Sequence, residues 1–142
     1  MGGSTLPRWT MPAMIEGLEA VTVHIRDIHQ AQKFYSDVLG LNELQLDGKV
    51  GRAVYAIPGT TTVLLMHVYD PAEGGREPGT VSGIVFSHND PAAACAEIAR
   101  RGGRVVDPPH PFNRPGFATT VSVIADPDGN EFILRSPPRP TK

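Results

Sequence analysis

Three side chains in this sequence have the types that a small reaction centre uses: His24, His67 and Glu131. Two imidazoles and a carboxylate make up the two-His, one-carboxylate set that holds a divalent ion, and His67 with Glu131 is by itself an acid-base pair. Each has a plainer reading too. His24, near the end of a β-patterned run, reads equally as a solvated rim histidine. His67 stands in the apolar run TTVLLMHVY, where an imidazole costs free energy unless hydrogen-bonded, so it is the better cavity candidate. Glu131 directly follows a turn and is open to a surface or a cavity role. His29 and His88 fall at a helix start and a strand end and are expected to face solvent. Cys95 shares an apolar stripe with Ile98 and Ala99 and is expected in the core, with no nucleophilic role.

The elements that must position these residues are legible in the periodicity. Residues 18–26 alternate and are β-branched, and the pattern then changes to helical spacing. Asp27 is placed as N-cap with Gln30 three residues on. Ala31, Phe34, Tyr35, Val38 and Leu39 form the apolar stripe, and Gly40 is the stop. Strands are expected over 41–46, 50–57 and 61–68, joined by turns at Asp47-Gly48 and Pro58-Gly59. DPAEGGREPGT, 70–80, reads as a linker.

The order then repeats: a strand over 81–87, a helix capped by Asp90 with Pro91 at its first position and Gly102-Gly103 at its stop, and strands over 104–106, 118–125 and 130–135. The capping aspartates lie 63 residues apart and the first stop glycines 62, which marks a duplication. The expected fold is α+β: two tandem βαβββ modules forming a curved, partly open mixed sheet around a cavity. The divisions are an N-terminal arm (1–16), one domain (17–136) with modules at about 17–69 and 81–136 around the 70–80 linker, and a solvated tail (137–142). HPFNRPGF is placed in a loop before the seventh strand, where Arg114 and Phe117 could lid the cavity or simply pack.

At 142 residues, 40% hydrophobic and with a net charge of -2, the chain is one domain's worth of core with no basic footprint for nucleic acid. No run approaches the roughly 20 apolar residues of a membrane span. The opening MGGSTLPRWTMPAM lacks the apolar stretch of a signal peptide and a lone cysteine makes no internal disulfide, so a cytoplasmic setting is expected.

HIRDIHQAQKFYSDVLGL, DPAAACAEIARRGGRVV and ADPDGNEFIL resemble the vicinal-oxygen-chelate superfamily, which includes glyoxalase I, extradiol dioxygenases and bleomycin-resistance proteins. The likeness covers about 17–136 and implies the fold, not the chemistry. Metal-using members place ligands on the first and last strands of each module. Measured from the capping aspartates and the DPDG turn, three of those positions are Ala20, Gly83 and Ile133, and a gapped match to the last puts the fourth at Leu65; none has a donor side chain, so the resemblance implies a metal-free member with no cofactor. The alternative is a divalent ion (Zn, Ni, Fe or Mn) at a displaced site of His24, His67 and Glu131. It requires His24 to act about 13 Å along its strand from the lost position, and the other two about 7 Å.

Two functions follow. One is a homodimeric protein that binds or sequesters a small, partly aromatic molecule in the cavity, with Thr22, His24, Leu65, His67, Val85, Ser87, Arg114, Phe117, Glu131 and Ile133 as lining. The other is a lyase, isomerase or dioxygenase of the same fold, using the displaced metal or metal-free acid-base chemistry at His67 and Glu131.

Overall fold

The computed structural model describes residues 12–141, so the N-terminal arm lies outside the described residues except for its last few positions. Module 1 contributes β1 (Ala20–Ile25), α1 (Ile28–Gln32), β2 (Asn42–Asp47), β3 (Arg52–Ala56) and β4 (Val63–Val68). Module 2 contributes β5 (Val81–Ser87), α2 (Pro91–Arg100), β6 (Arg104–Arg114), β7 (Phe117–Ala125) and β8 (Glu131–Arg135), followed by the short β9 (Arg139–Pro140). The strands form two mixed sheets ordered β1-β4-β3-β2 and β5-β8-β7-β6, each with one parallel pair, β1 with β4 and β5 with β8. The duplicated α+β arrangement is therefore present, with its ladders divided between two sheets. Among the described residues no helix is long and apolar enough to cross a membrane.

Both helix starts form as the capping residues dictate: Asp27 accepts from the Gln30 N–H and Asp90 from the Ala93 N–H. The first helix departs from expectation after one turn. From Lys33 to Val38 it widens into a π-helix, closed by the Leu39 N–H on the Phe34 carbonyl. Within this segment the neighbouring residues Phe34 and Tyr35 are both buried, their rings edge to face at 5.0 Å. Apolar spacing alone does not distinguish this from an α-helix.

One core joins the modules. Tyr35 meets Tyr55 of sheet 1 at 6.0 Å and Phe132 of sheet 2 at 6.1 Å, and Phe132 stacks on Phe86 at 5.2 Å. At the centre of the junction the Tyr35 hydroxyl donates to the buried Asp126 carboxylate at 2.7 Å. Asp126 also accepts from the Asn130 amide, the Asn130 N–H and the Asp128 N–H. Asn130 in turn donates to the His24 carbonyl of β1 and accepts from the Gly79 N–H of the linker. The DPDGN turn thus ties β1, the first helix and the linker to module 2. The helix ends also meet: Arg101 donates to the Val38 and Asp37 carbonyls, and a Cβ on Gly103 would stand 2.8 Å from Val38 Cγ1.

Two expectations are corrected in module 2. The sixth strand does not stop at residue 106 but continues to Arg114, and Phe117 already belongs to β7, so Arg114 and Phe117 flank a tight hairpin rather than sit in a loop. β6 is an edge strand with register shifts at Val105/Asp107 and Asp107/His110, and there prolines without N–H groups are tolerated. In the tail, Arg139 and Pro140 pair with Ala118 and Phe117, although both remain exposed.

The junction has a pH signature. Burial and the neighbouring Asp126 hold the Tyr35 hydroxyl well above the usual tyrosine range, and burial pushes Tyr55 up to about 12. Both groups keep their protons more tightly folded than unfolded, where tyrosine ionises near 10. Their contribution is complete below about pH 10 and is lost as the pH rises through the folded values. Urea unfolding between pH 8 and 11.5 is expected to show stability falling at the alkaline end, with a shallower fall in Tyr35→Phe. That variant is expected to lose about 1–3 kcal/mol at neutral pH, because a buried carboxylate loses a donor.

Candidate functional site

Each sheet has one face against the shared core and one face bare, because strand side chains alternate. In sheet 1, Val23, Ile25, Leu64 and Met66 are buried while Thr22, Leu65, His24 and His67 stand on the bare face. The parallel register sets Thr22 beside Leu65 and His24 beside His67. In sheet 2, Phe132 and Leu134 are buried while Val85 pairs with Ile133, Val81 with Glu131 and Ser87 with Arg135 on the bare face. Since the covered faces share one core, the bare faces are turned away from it. Val81 is 66% and Val85 47% exposed.

The sequence triad is therefore only partly assembled. The His24 and His67 rings lie edge to face at 6.3 Å, whereas Glu131 belongs to the other sheet. The carboxylate that does reach His67 is Glu73, 3.9 Å from Nε2, on a 3-10 turn (Pro71–Glu73) of the linker. Linker residue Gly75 lies on the His24 ring so closely that a Cβ there would stand 2.6 Å from Nε2. Tyr69 flanks His24 at 6.4 Å. Sequence reasoning missed Glu73, Gly75 and Tyr69, since nothing in a run of Pro, Gly and charge says that it folds back across β1. Among the described residues, no three His, Cys, Asp or Glu side chains are gathered to hold an ion.

The four positions where the resemblance implies metal ligands do not fit a metal, for want of any donor atom. At Gly83 a backbone reason is visible. Between Val81 and Val85 the strand shifts register, Gly83 takes φ +78°, and Ser82 Oγ donates to the Glu131 carbonyl while accepting from the Ile84 N–H. Only glycine adopts that conformation without strain.

The principal cavity follows the edge of β5. A crevice of about 820 Å³ opens between the modules, lined on one side by Val38, Leu39, Leu41 and Ile57 and on the other by Ile84, Val85, Phe86, Ala94 and Ile98. It is mostly hydrocarbon and falls in the range of small-molecule sites, roughly 300–1,000 Å³. Of the ligand-position and candidate lining residues named from sequence, Gly83, Val85 and Ser87 border it, as does His88, and Glu97 and Arg101 add charged groups to its lining. Thr22 and His24 line a smaller neighbouring pocket, and Leu65, His67, Glu131 and Ile133 line neither. Arg114 and Phe117 are also absent from both, and the Arg114 guanidinium lies 4.0 Å over the Phe112 ring at the hairpin.

The sequence profile of the Glyoxalase/Bleomycin resistance protein/Dioxygenase superfamily matches residues 17–134. The chain belongs to this superfamily. A solved structure of a member from Sphaerobacter thermophilus DSM 20745 is 28% identical, covers 88% of this chain and 100% of its own, and superposes with a TM-score of 0.72. TnmS3, an antibiotic binding protein from Streptomyces sp. CB03234, is also 28% identical, with 89% and 99% covered and a TM-score of 0.69. A glyoxalase/bleomycin resistance protein from the same Streptomyces is again 28% identical, with 83% and 98% covered and a TM-score of 0.63. No curated protein matches the chain.

A Cβ at Gly83 would meet open space, so substitution there strains only the backbone. Gly83→His, which supplies a ligand-type side chain, is expected to cost about 1–2 kcal/mol in denaturant unfolding. Gly83→Asn is expected to cost less, because asparagine tolerates the left-handed region. Equal stability of Gly83→His and the parent would contradict a fixed bulge.

Proposed function

We propose that this protein is a metal-free binding protein that sequesters a small, partly aromatic molecule, acting as a cytoplasmic homodimer. The observation that carries the reading is the apolar crevice of about 820 Å³ between the modules, together with the lack of donor atoms at Ala20, Leu65, Gly83 and Ile133. The 28% identity to an antibiotic binding protein over most of both chains supports the same reading. The homodimer rests on the bare sheet faces. β1 and β5 are edge strands, and two apolar side chains of β5, Val81 and Val85, are exposed. A second copy would cover them and bring the bare face of sheet 1 in one chain toward that of sheet 2 in the other.

The His24–His67 pair favours a second reading, an enzyme of the same superfamily using a displaced metal or His67 as acid-base. Within one chain that reading lacks Glu131 beside the pair. Metal analysis of purified protein and assays with a dialdehyde-thiol adduct and a catechol separate the two: about one bound ion per chain, or turnover, would favour the enzyme.

The binding reading is checked with the neutral fluorescent probe N-phenyl-1-naphthylamine. Saturable enhancement is expected with the parent, and at least about tenfold weaker binding with Val85→Trp, whose indole would occupy the crevice at little cost to folding. No saturable binding to the parent would remove the reading. Light scattering after gel filtration is expected to report a dimer for the parent and a shift toward monomer for Val81→Lys, which puts a charge on the exposed apolar face that a second copy would cover.

A further inference from the structure

Under the linker, the facing edges of β1 and β5 enclose a second pocket of about 420 Å³. It shares Val21, Gly83 and Ile84 with the apolar crevice, so the two pockets adjoin along one groove, the crevice lined mostly by hydrocarbon and the smaller pocket by a more polar set. The polar end presents Thr22, His24, Arg76, Glu77 and Thr80. Most other polar groups around it are already committed. Asn130 is bonded to the His24 carbonyl, Asp126 and the linker, Ser82 to the Glu131 carbonyl, and Arg26 to Asp128 and the Pro78 carbonyl. Arg76 is different: it is exposed and forms no ion pair among the described residues. Its guanidinium is a planar fork of donors that matches a carboxylate. The His24 ring, held beneath Gly75, stands at the same end. The one acidic wall residue is Glu77, adjacent to Arg76 in the chain.

We propose that the groove takes an elongated molecule whose apolar body lies in the crevice and whose terminal carboxylate is held by Arg76, with His24 beside it. This rests on the binding function proposed above and adds the chemical class of ligand: an amphiphilic acid. Glu77 opposes the bound carboxylate, which makes it a restraint on affinity.

The test uses the full chain and a matched pair of compounds, 6-(2-naphthyl)hexanoic acid and its primary amide, followed by calorimetry. The acid is expected to bind about 10- to 100-fold tighter than the amide, the range for a hydrogen-bonded charged group. Arg76→Gln is expected to bring the acid down to the amide's affinity and leave the amide unchanged, and Glu77→Gln to tighten the acid alone. Both positions are exposed on the linker, so neither variant is expected to impair folding. Equal affinity of acid and amide for the parent, or an acid preference that survives Arg76→Gln, would overturn the proposal while the binding function stood. Failure of both compounds to bind, with N-phenyl-1-naphthylamine still binding, would also overturn it and leave the binding function intact. Failure of all three would remove both.

Discussion

A buried carboxylate organises this molecule. Asp126 lies in a turn of module 2, almost without solvent contact, and is hydrogen-bonded by Tyr35 from the first helix and by Asn130 and Asp128 from its own turn. Burial raises its pKa, and the bonds from Asn130 and Tyr35 oppose that rise. A carboxylate taken out of water needs such partners, and every one of them fixes a piece of backbone. Through Asn130 the same network reaches the His24 carbonyl and the linker. One polar cluster therefore sets where β1 lies relative to β5, and with it the shape of the groove between them.

The duplication explains why there is a groove. Each module covers one face of its sheet with a helix, and the two covered faces fuse into one core around Tyr35 and Phe132. β1 and β5, equivalent by the repeat, are left as sheet edges, tied near one end by the Asn130 bond and by Arg26 with Asp128. Away from that tie the space between them is bordered from the side by the two helical segments, whose hydrocarbon groups Val38, Leu39, Ala94 and Ile98 line the crevice. The chemistry offered there is mainly desolvation and shape, with the Glu97–Arg101 ion pair adding charge to the lining.

The linker is the element that departs furthest from its plain reading. It is capped by Asp70, lies across His24 at Gly75, and delivers Glu73 to His67 and Arg76 to the groove. A segment that in sequence merely separates two modules becomes the roof of their common polar pocket. The bulge at Gly83 belongs to the same region and re-aims β5 where it borders both pockets.

The sequence by itself determined the local elements. The caps at Asp27 and Asp90, the left-handed stops at Gly40 and Gly102, and the alternation in β1, β4, β5 and β8 depend on interactions within a few residues, so they are legible along the chain. The repeat and the bare-face residues Thr22, His24, Leu65 and His67 follow from the same short-range rules. Only the tertiary structure decided which of them meet. It set His24 against His67 through strand register, put Glu131 on the other sheet, let prolines into β6 because that strand is an edge, and folded the linker over β1. Those outcomes rest on contacts between residues far apart in the chain, and no local preference encodes the distance between two faces that only packing brings into place.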